Sequence, residues 1–220
     1  MTISTGDILG HTQVGVYLSV IGNTLFYPRS LDAPAIEEIE QAFDLEMAPM
    51  FIGGSALLGS LIRGNKKGIA VADIATEEDL DALTSFGEVV ILESGVNAAG
   101  NLIECNDFGA VVSKSIPGPG VELIGEVLGV NAVRSCVAGQ DTVGSLMVAN
   151  NKGILAHPDI TAYEVEQIQS VMEVDIMVGT VCFGSPHVGA ACVTSDTHAL
   201  VGSGSTGPEL NRIEDALYLI

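Results

Sequence analysis

Lysine and arginine are scarce in this chain: 8 of them stand against 28 aspartates and glutamates, for a formal charge of −20. A surface of that sign repels phosphate backbones, which excludes general nucleic-acid binding through a basic patch. The acids are spread along helix exteriors and read as a solvated face, tolerable where salt screens like charge. Tryptophan is absent. So is any apolar run of about 18 residues, which argues against a membrane-spanning helix. The stretch up to Asp7 has neither the basic nor the apolar region of a signal peptide. The four cysteines, at 105, 136, 182 and 192, form no CxxC pair. A reduced, cytoplasmic protein is the simplest reading.

Glycine, by contrast, is plentiful, and its placing is regular. Gly15, Gly59, Gly100, Gly144 and Gly189 recur at steps of about 41–45 residues, the signature of a repeat. After Gly144, Leu146 to Val148 read as a strand, Asn150 to Gly153 as a turn, and Ile154 to Ala156 as the returning strand, stopped by Pro158. A helix then opens on a capping box, Thr161 with Glu164. The other units keep the register. Their turn residues are Thr24, Gly68, Gly109 and His198, and residues 14–20 and 24–27 read as the first unit's strands. The helix faces are Ile36/Ile39/Phe43, Leu80/Leu83/Gly87, Val121/Ile124/Leu128, Val165/Ile168/Met172 and Leu210/Ile213/Leu217. Only Gly87 breaks the pattern, and Phe86 beside it can fill the gap. Asp32 and Thr76, the latter with Asp79, read as further caps. Leu45, Val89, Val130, Val174 and Leu219 each open the next strand.

One strand-strand-helix-strand unit cannot bury its own apolar face. The pattern therefore predicts an α/β fold of five ββαβ repeats around a pseudo-fivefold axis, strands inside and helices outside. The expected units span about 11–54, 55–95, 96–139, 140–184 and 185–220 of a single domain, 1–220. A strand within 2–10, from Ile3 to Ile8, supplies the one that the fifth unit lacks. It closes the ring into a propeller without sheet edges.

Three clusters invite chemistry. Gly202, Gly204 and Gly207 spell GxGxxG, but the dinucleotide fold needs a further parallel strand and an acid about 20 residues on. Pro208 with a Thr206 or Gly207 cap explains the segment locally. Cys182, His187, Cys192 and His198 are spaced too widely for a zinc site, and no metal is expected. Cys192 or Cys182, with His157 or His198, would be the nucleophile and its partner in a guanidine-modifying enzyme. Amidinotransferases and deiminases of that kind share the five-unit, pentein-type scaffold. No acidic pair flanks a histidine, however, and His157 reads as a strand end. No catalytic residue or cofactor is expected. Asn65, Asn106, Asn150 and Asn151 are turn chemistry, able also to line one rim of the ring. A binding module fits better than an enzyme.

From about Val14 to Leu219 the sequence resembles the translation initiation factor 6 family in its archaeal form. The resemblance is carried by Ile62-Arg-Gly-Asn65 with Gly68-Ile69, by Gly100-Asn101 followed by Glu104-Cys-Asn-Asp107, and by Val143-Gly-Ser145. Asn151-Lys-Gly-Ile154 with Ala156-His-Pro158, and Val178-Gly-Thr-Val181, complete it. The resemblance implies a monomeric non-enzyme on the intersubunit face of the large (50S) ribosomal subunit. Its chief contact there is a basic ribosomal protein beside the sarcin-ricin loop. Such a protein blocks joining of the small (30S) subunit and takes part in large-subunit maturation, with no membrane or free nucleic acid as partner. The implied contact rim is the residue after each unit glycine: Val16, Ser60, Asn101, Ser145 and Ala190, centred on Asn101. Ser60 and Leu92-Glu93 stand where eukaryotic members carry arginine.

Overall fold

The computed structural model describes residues 2–93 and 98–219. The unit boundaries expected at 95, 96 and 220 lie outside the described residues. Strand β1 (Ile3–Gly6) precedes the first unit, shorter than the Ile3–Ile8 expected, and Ile8 makes only an isolated bridge to His11. Unit one is α1 (Val14–Tyr17), β2 (Ser19–Ile21), β3 (Thr24–Pro28), α2 (Ala33–Ala42) and β4 (Glu46–Met50). Unit two is α3 (Leu58–Leu61), β5 (Ile62–Gly64), β6 (Gly68–Ala72), α4 (Glu77–Leu83) and β7 (Glu88–Leu92). Unit three is α5 (Ala99–Leu102), β8 (Ile103–Cys105), β9 (Gly109–Ser113), α6 (Gly118–Leu128) and β10 (Asn131–Ser135). Unit four is α7 (Val143–Leu146), β11 (Met147–Ala149), β12 (Gly153–Ala156), α8 (Ala162–Met172) and β13 (Asp175–Val178). Unit five is α9 (Val188–Ala191), β14 (Cys192–Thr194), β15 (Ala199–Gly202) and α10 (Gly207–Ala216).

The described residues form five three-stranded sheets, consistent with a fivefold repeat. In each, an antiparallel hairpin is extended by a parallel strand that returns after the helix, as in β11-β12-β13. Unit five has no such strand of its own among the described residues. β1 takes the place, parallel to β15, with Ile3 opposite Ala199 and Gly6 opposite Gly202.

The expected helix faces and caps are in place. Asp32 accepts from Ala35 N, and Thr76, Thr161 and Thr206 open capping boxes with Asp79, Glu164 and Glu209. Phe86 fills the space beside Gly87, edge-on to Phe26 at 5.0 Å between ring centroids. Each unit's core also takes a residue from the preceding unit's second hairpin strand. Phe26 joins the core of unit two, Ala70 that of unit three, Val111 of unit four, Leu155 of unit five, and Leu200 that of unit one.

The start of each unit differs from expectation. Residues 14–17 and Leu146 are not strand: a single helical turn carries each unit glycine. Four residues show no period, so such a turn leaves no pattern to read. The glycine is required by tertiary contact, because a Cβ at Gly59 would overlap the Gly15 carbonyl. Gly100 stands so against Gly59, Gly144 against Gly100, Gly189 against Gly144, and Gly15 against Gly189. The one-turn helices touch in the same order, α1 to α3, α5, α7, α9 and back to α1. The first hairpin strands β2, β5, β8, β11 and β14 follow suit.

Candidate functional site

The two ends of these strands carry different chemistry. At one end lie the hairpin turns. Asn106 Oδ1 accepts from Phe108 N and Gly109 N, fixing its own turn, both at 3.0 Å. Its amide nitrogen donates to Asn150 O at 3.3 Å and Met172 O at 2.9 Å in unit four. Asn65 clips unit two to Asn106 O and Leu128 O, and Asn150 clips unit four to Ser195 O and Leu217 O. These asparagines are buried, so their side chains serve the scaffold rather than a free rim. Asn151 lies beside them, bonded to Asp107 and Asp196.

The other end holds the one-turn helices and the tight turns that lead into them. All five residues expected at the rim lie here, at the same position of neighbouring turns: Val16 in α1, Ser60 in α3, Asn101 in α5, Ser145 in α7 and Ala190 in α9. Asn101 is half-buried, as are Val16, Ser145 and Ala190. Ser60 is only 9% exposed and has least to offer a partner. These five residues thus sit on helical turns at the opposite end from the hairpin turns of Asn65, Asn106 and Asn150.

A feature of this end escaped the sequence. Cys182, Phe183 and Gly184 have φ of 48°, 63° and 97°, a left-handed run that non-glycine residues rarely adopt. Glu209 holds it, accepting from Gly184 N at 2.8 Å and Phe183 N at 3.2 Å. Phe183 projects 85% exposed. Only a Gly-ended turn marks the spot in sequence, because the constraint comes from a glutamate on another element. Glu164 braces Gly139 N in the same way, and Asp79 braces Gly53 N. Burial works to raise the Glu209 carboxyl, but hydrogen bonds from Thr206, Gly184 and Thr180 outweigh it and hold the group at about 2.

The residues of the cysteine-enzyme reading are not assembled. Cys192 is 2% exposed, its Sγ directed at Val193 O at 4.0 Å, and burial pushes its thiol up to about 12. Cys182 Sγ contacts Thr12 O and Ser205 Oγ. Among the described residues, no histidine is a hydrogen-bond partner of either thiol. His157 Nδ1 accepts from Asp159 N, and His198 Nδ1 meets Thr197 Oγ1. Thiolate chemistry needs a lowered thiol pKa or an adjacent base, and this geometry supplies neither to Cys192. Among the described residues no three His, Cys, Asp or Glu side chains are grouped to hold a metal ion, Cys182, His187, Cys192 and His198 included. The GxGxxG segment is a helix entry, with Thr206 at its cap. No helix among the described residues is long and apolar enough to cross a membrane.

The cations are tied to the scaffold. Lys67 and Lys152 reach the C-terminal ends of the next units' helices, at Gly129 O and Tyr218 O. Arg29 donates to Pro49 O, Arg63 to Gly100 O, Arg134 to Lys114 O and Lys114 to Cys136 Sγ. Lys66 pairs with Asp107, and Arg212 meets Met177 Sδ. With all 8 engaged, no cluster of unengaged basic side chains stands ready for phosphate.

The model of the eIF-6 family matches residues 3–216 of the chain. A translation initiation factor 6 from Haloquadratum walsbyi is 36% identical over 210 residues, covering 94% of this chain and 93% of its own length. That of Methanoculleus marisnigri is 35% identical, covering 96% of each. That of Pyrococcus horikoshii is 33% identical, covering the whole of both.

Proposed function

The chain belongs to the eIF-6 family, and from that membership we propose that it is a translation initiation factor acting on the large ribosomal subunit. It binds the intersubunit face and keeps the small subunit from joining, with a further part in maturation of the large subunit. It acts in the cytoplasm as a monomer, by steric occupation, without catalysis or cofactor. The observation that carries this reading is family membership over nearly the full chain. The charge supports its details. At −20, with its cations engaged, the protein is suited to a basic ribosomal protein near the sarcin-ricin loop rather than to rRNA. Docking is by the end that carries Asn101, with Val16, Ser145, Ala190 and the more buried Ser60 around it. On the same reading the five units close into one pentein-type α-β propeller over 1–220, supported by the cyclic order of their contacts.

The test is sedimentation of purified subunits with and without the protein, in salt suited to an acidic chain. The expected result is co-sedimentation with large subunits and fewer whole ribosomes. Co-sedimentation with the small subunit alone, or undiminished ribosome formation at saturating protein, would overturn the proposal. Asn101→Arg should weaken large-subunit binding about tenfold or more while leaving the melting temperature within a few degrees, since a half-buried rim position tolerates size better than the core.

A further inference from the structure

Between units two and three lies an ion pair that the scaffold does not need. Arg63 is the middle residue of β5 and Glu104 of β8, and these strands touch. Both stand four residues after their unit glycine. The same position is Ser19 in β2, Val148 in β11 and Val193 in β14. Two units therefore fill it with valine and form the same sheet. Glu104 is 2% exposed, and its Oε2 is 3.6 Å from Arg63 Nη2, within reach of charge attraction but too long for a hydrogen bond. Among the described residues, Ser19 Oγ, Arg63 Nε and Glu104 Oε2 have no hydrogen-bond partner. Buried polar groups are nearly always paired, and a buried ion pair seldom adds stability over an apolar one. Burial pushes the Glu104 carboxyl up to about 7 against the pull of the guanidinium. At neutral pH the pair is thus a burden on the fold.

Its other contact gives it a role. Arg63 Nη2 donates to Gly100 O at 3.1 Å, and the residue after Gly100 is Asn101. In no other unit, among the described residues, does a side chain bond the carbonyl of the unit glycine. We propose that the Arg63–Glu104 pair positions the binding face: the carboxylate holds the guanidinium, and the guanidinium holds the Gly100 carbonyl and so the orientation of Asn101. This rests on Asn101 facing the ribosome.

The pair makes the rim sensitive to protons, with a sign that separates positioning from stability. Glu104 faces the Arg63 guanidinium from β5 and the backbone N–H of Cys105 on its own strand; its charge also acts on the buried thiols of Cys105 in β8 and Cys192 in β14, while Val148 and Val193 bring no charge. Above pH 7 the pair is ionised and the Gly100 carbonyl is held. Below it Glu104 is neutral, Arg63 keeps an uncompensated charge, and its partly exposed side chain has a way to solvent. The rim loosens in acid. The fold as a whole responds oppositely, because a carboxyl whose pKa rises on folding favours the folded state at low pH and loses that advantage as pH rises through 7.

The experiment is hydrogen exchange of segment 99–103 in the free protein at pH 6 and 8.5, corrected for intrinsic rates, alongside melting and binding to large subunits. Exchange in the wild type should be about tenfold faster at pH 6, the swing of a group moved about one unit past its pKa. Binding should weaken by a similar factor. Glu104→Gln should remove the pH dependence and remain at the acid level. The double variant Arg63→Val, Glu104→Val copies units four and five. It should melt no lower than wild type, yet show fast exchange and weak binding at both pH values. A Gln variant with wild-type pH dependence, or a double variant that binds as wild type, overturns the proposal. If wild-type exchange behaves as expected but no large subunit is bound, the ribosome reading fails and the positioning role stands.

Discussion

In unit four the sixth residue after the unit glycine is Asn150, which fixes its own turn and grips two carbonyls of unit five. In unit one that position is Ile21, an apolar residue in the core that unit two shares. The contrast repeats at the opposite end. Glu164, third residue of α8, braces the tight turn before it, whereas the third residue of α2 is Ala35. Unit one is held instead by the packing of Leu200 and Val193 into its core, and its tight turn adjoins β1, where Asp7 accepts from Ser203 Oγ. Among the described residues, buried asparagine clips join units two to five, while the same position of unit one, Ile21, gives apolar packing instead. The backbone plan survives because it depends on the glycine approach, which both arrangements share.

The largest effect should come from that shared element. Gly144→Val drives a side chain into the Gly100 and Ile103 carbonyls and should cost about 4 kcal/mol or more, read as loss of the folded fraction in denaturant titration. Gly15→Val should be equally damaging despite the different glue around it; a mild effect there would confine the glycine argument to the polar-clipped units. Next is the clip. Asn106→Ala strands buried carbonyls at Asn150 and Met172 and frees its turn, for about 3 kcal/mol. Ser195→Ala, which loses contacts within its own turn, to Thr197 N, Thr197 Oγ1, His198 N and His198 O, should cost about 1 kcal/mol. Equal losses would erase the distinction between clipped and unclipped units.

The brace is tested by acid. Glu209 is held at about 2, so its contribution is present above the ordinary glutamate range and is lost as pH falls from about 4.5 toward 2. Glu209→Gln should therefore lose about 2–3 kcal/mol at pH 7 and converge with wild type near pH 2. A constant difference across that range would mean the carboxylate charge is not what braces the turn. The smallest effect is a gain. Ser195→Asn places an amide where it can reach into unit one, and should raise stability by about 1 kcal/mol if the backbone there matches its clipped counterparts.

Much of this was legible in the chain. Helix faces such as Val121/Ile124/Leu128 obey a period, and boxes such as Thr161 with Glu164 are local, so both can be read without a third dimension. The asparagines were visible only in half their role. Their turn chemistry is local, but the amide's grip on the next unit spans about 41–67 residues. Their recurrence six residues after three successive glycines was the available signal. Arg63 with Glu104 left none, because pairing across touching strands depends on register. Likewise nothing in Cys182-Phe183-Gly184 announces that Glu209 will hold it left-handed. The rim residues were placed by resemblance, and their helical setting came from packing that no short segment encodes.

The pairing of β1 with β15 also sets an order in time. Strand 3–6 leaves the exit tunnel ahead of all five units, and its partner 199–202 is made roughly two hundred residues later. At about 5–20 residues per second, that is a wait of some tens of seconds at the slower rates. Meanwhile units two to four can dock in the order they emerge, each core completed by the strand just before it. Only unit one must hold its core open until Leu200 and Val193 arrive from the far end of the chain. A nascent chain stalled before residue 199 would present a waiting strand and an unfilled apolar core, the sort of surface on which chaperones act.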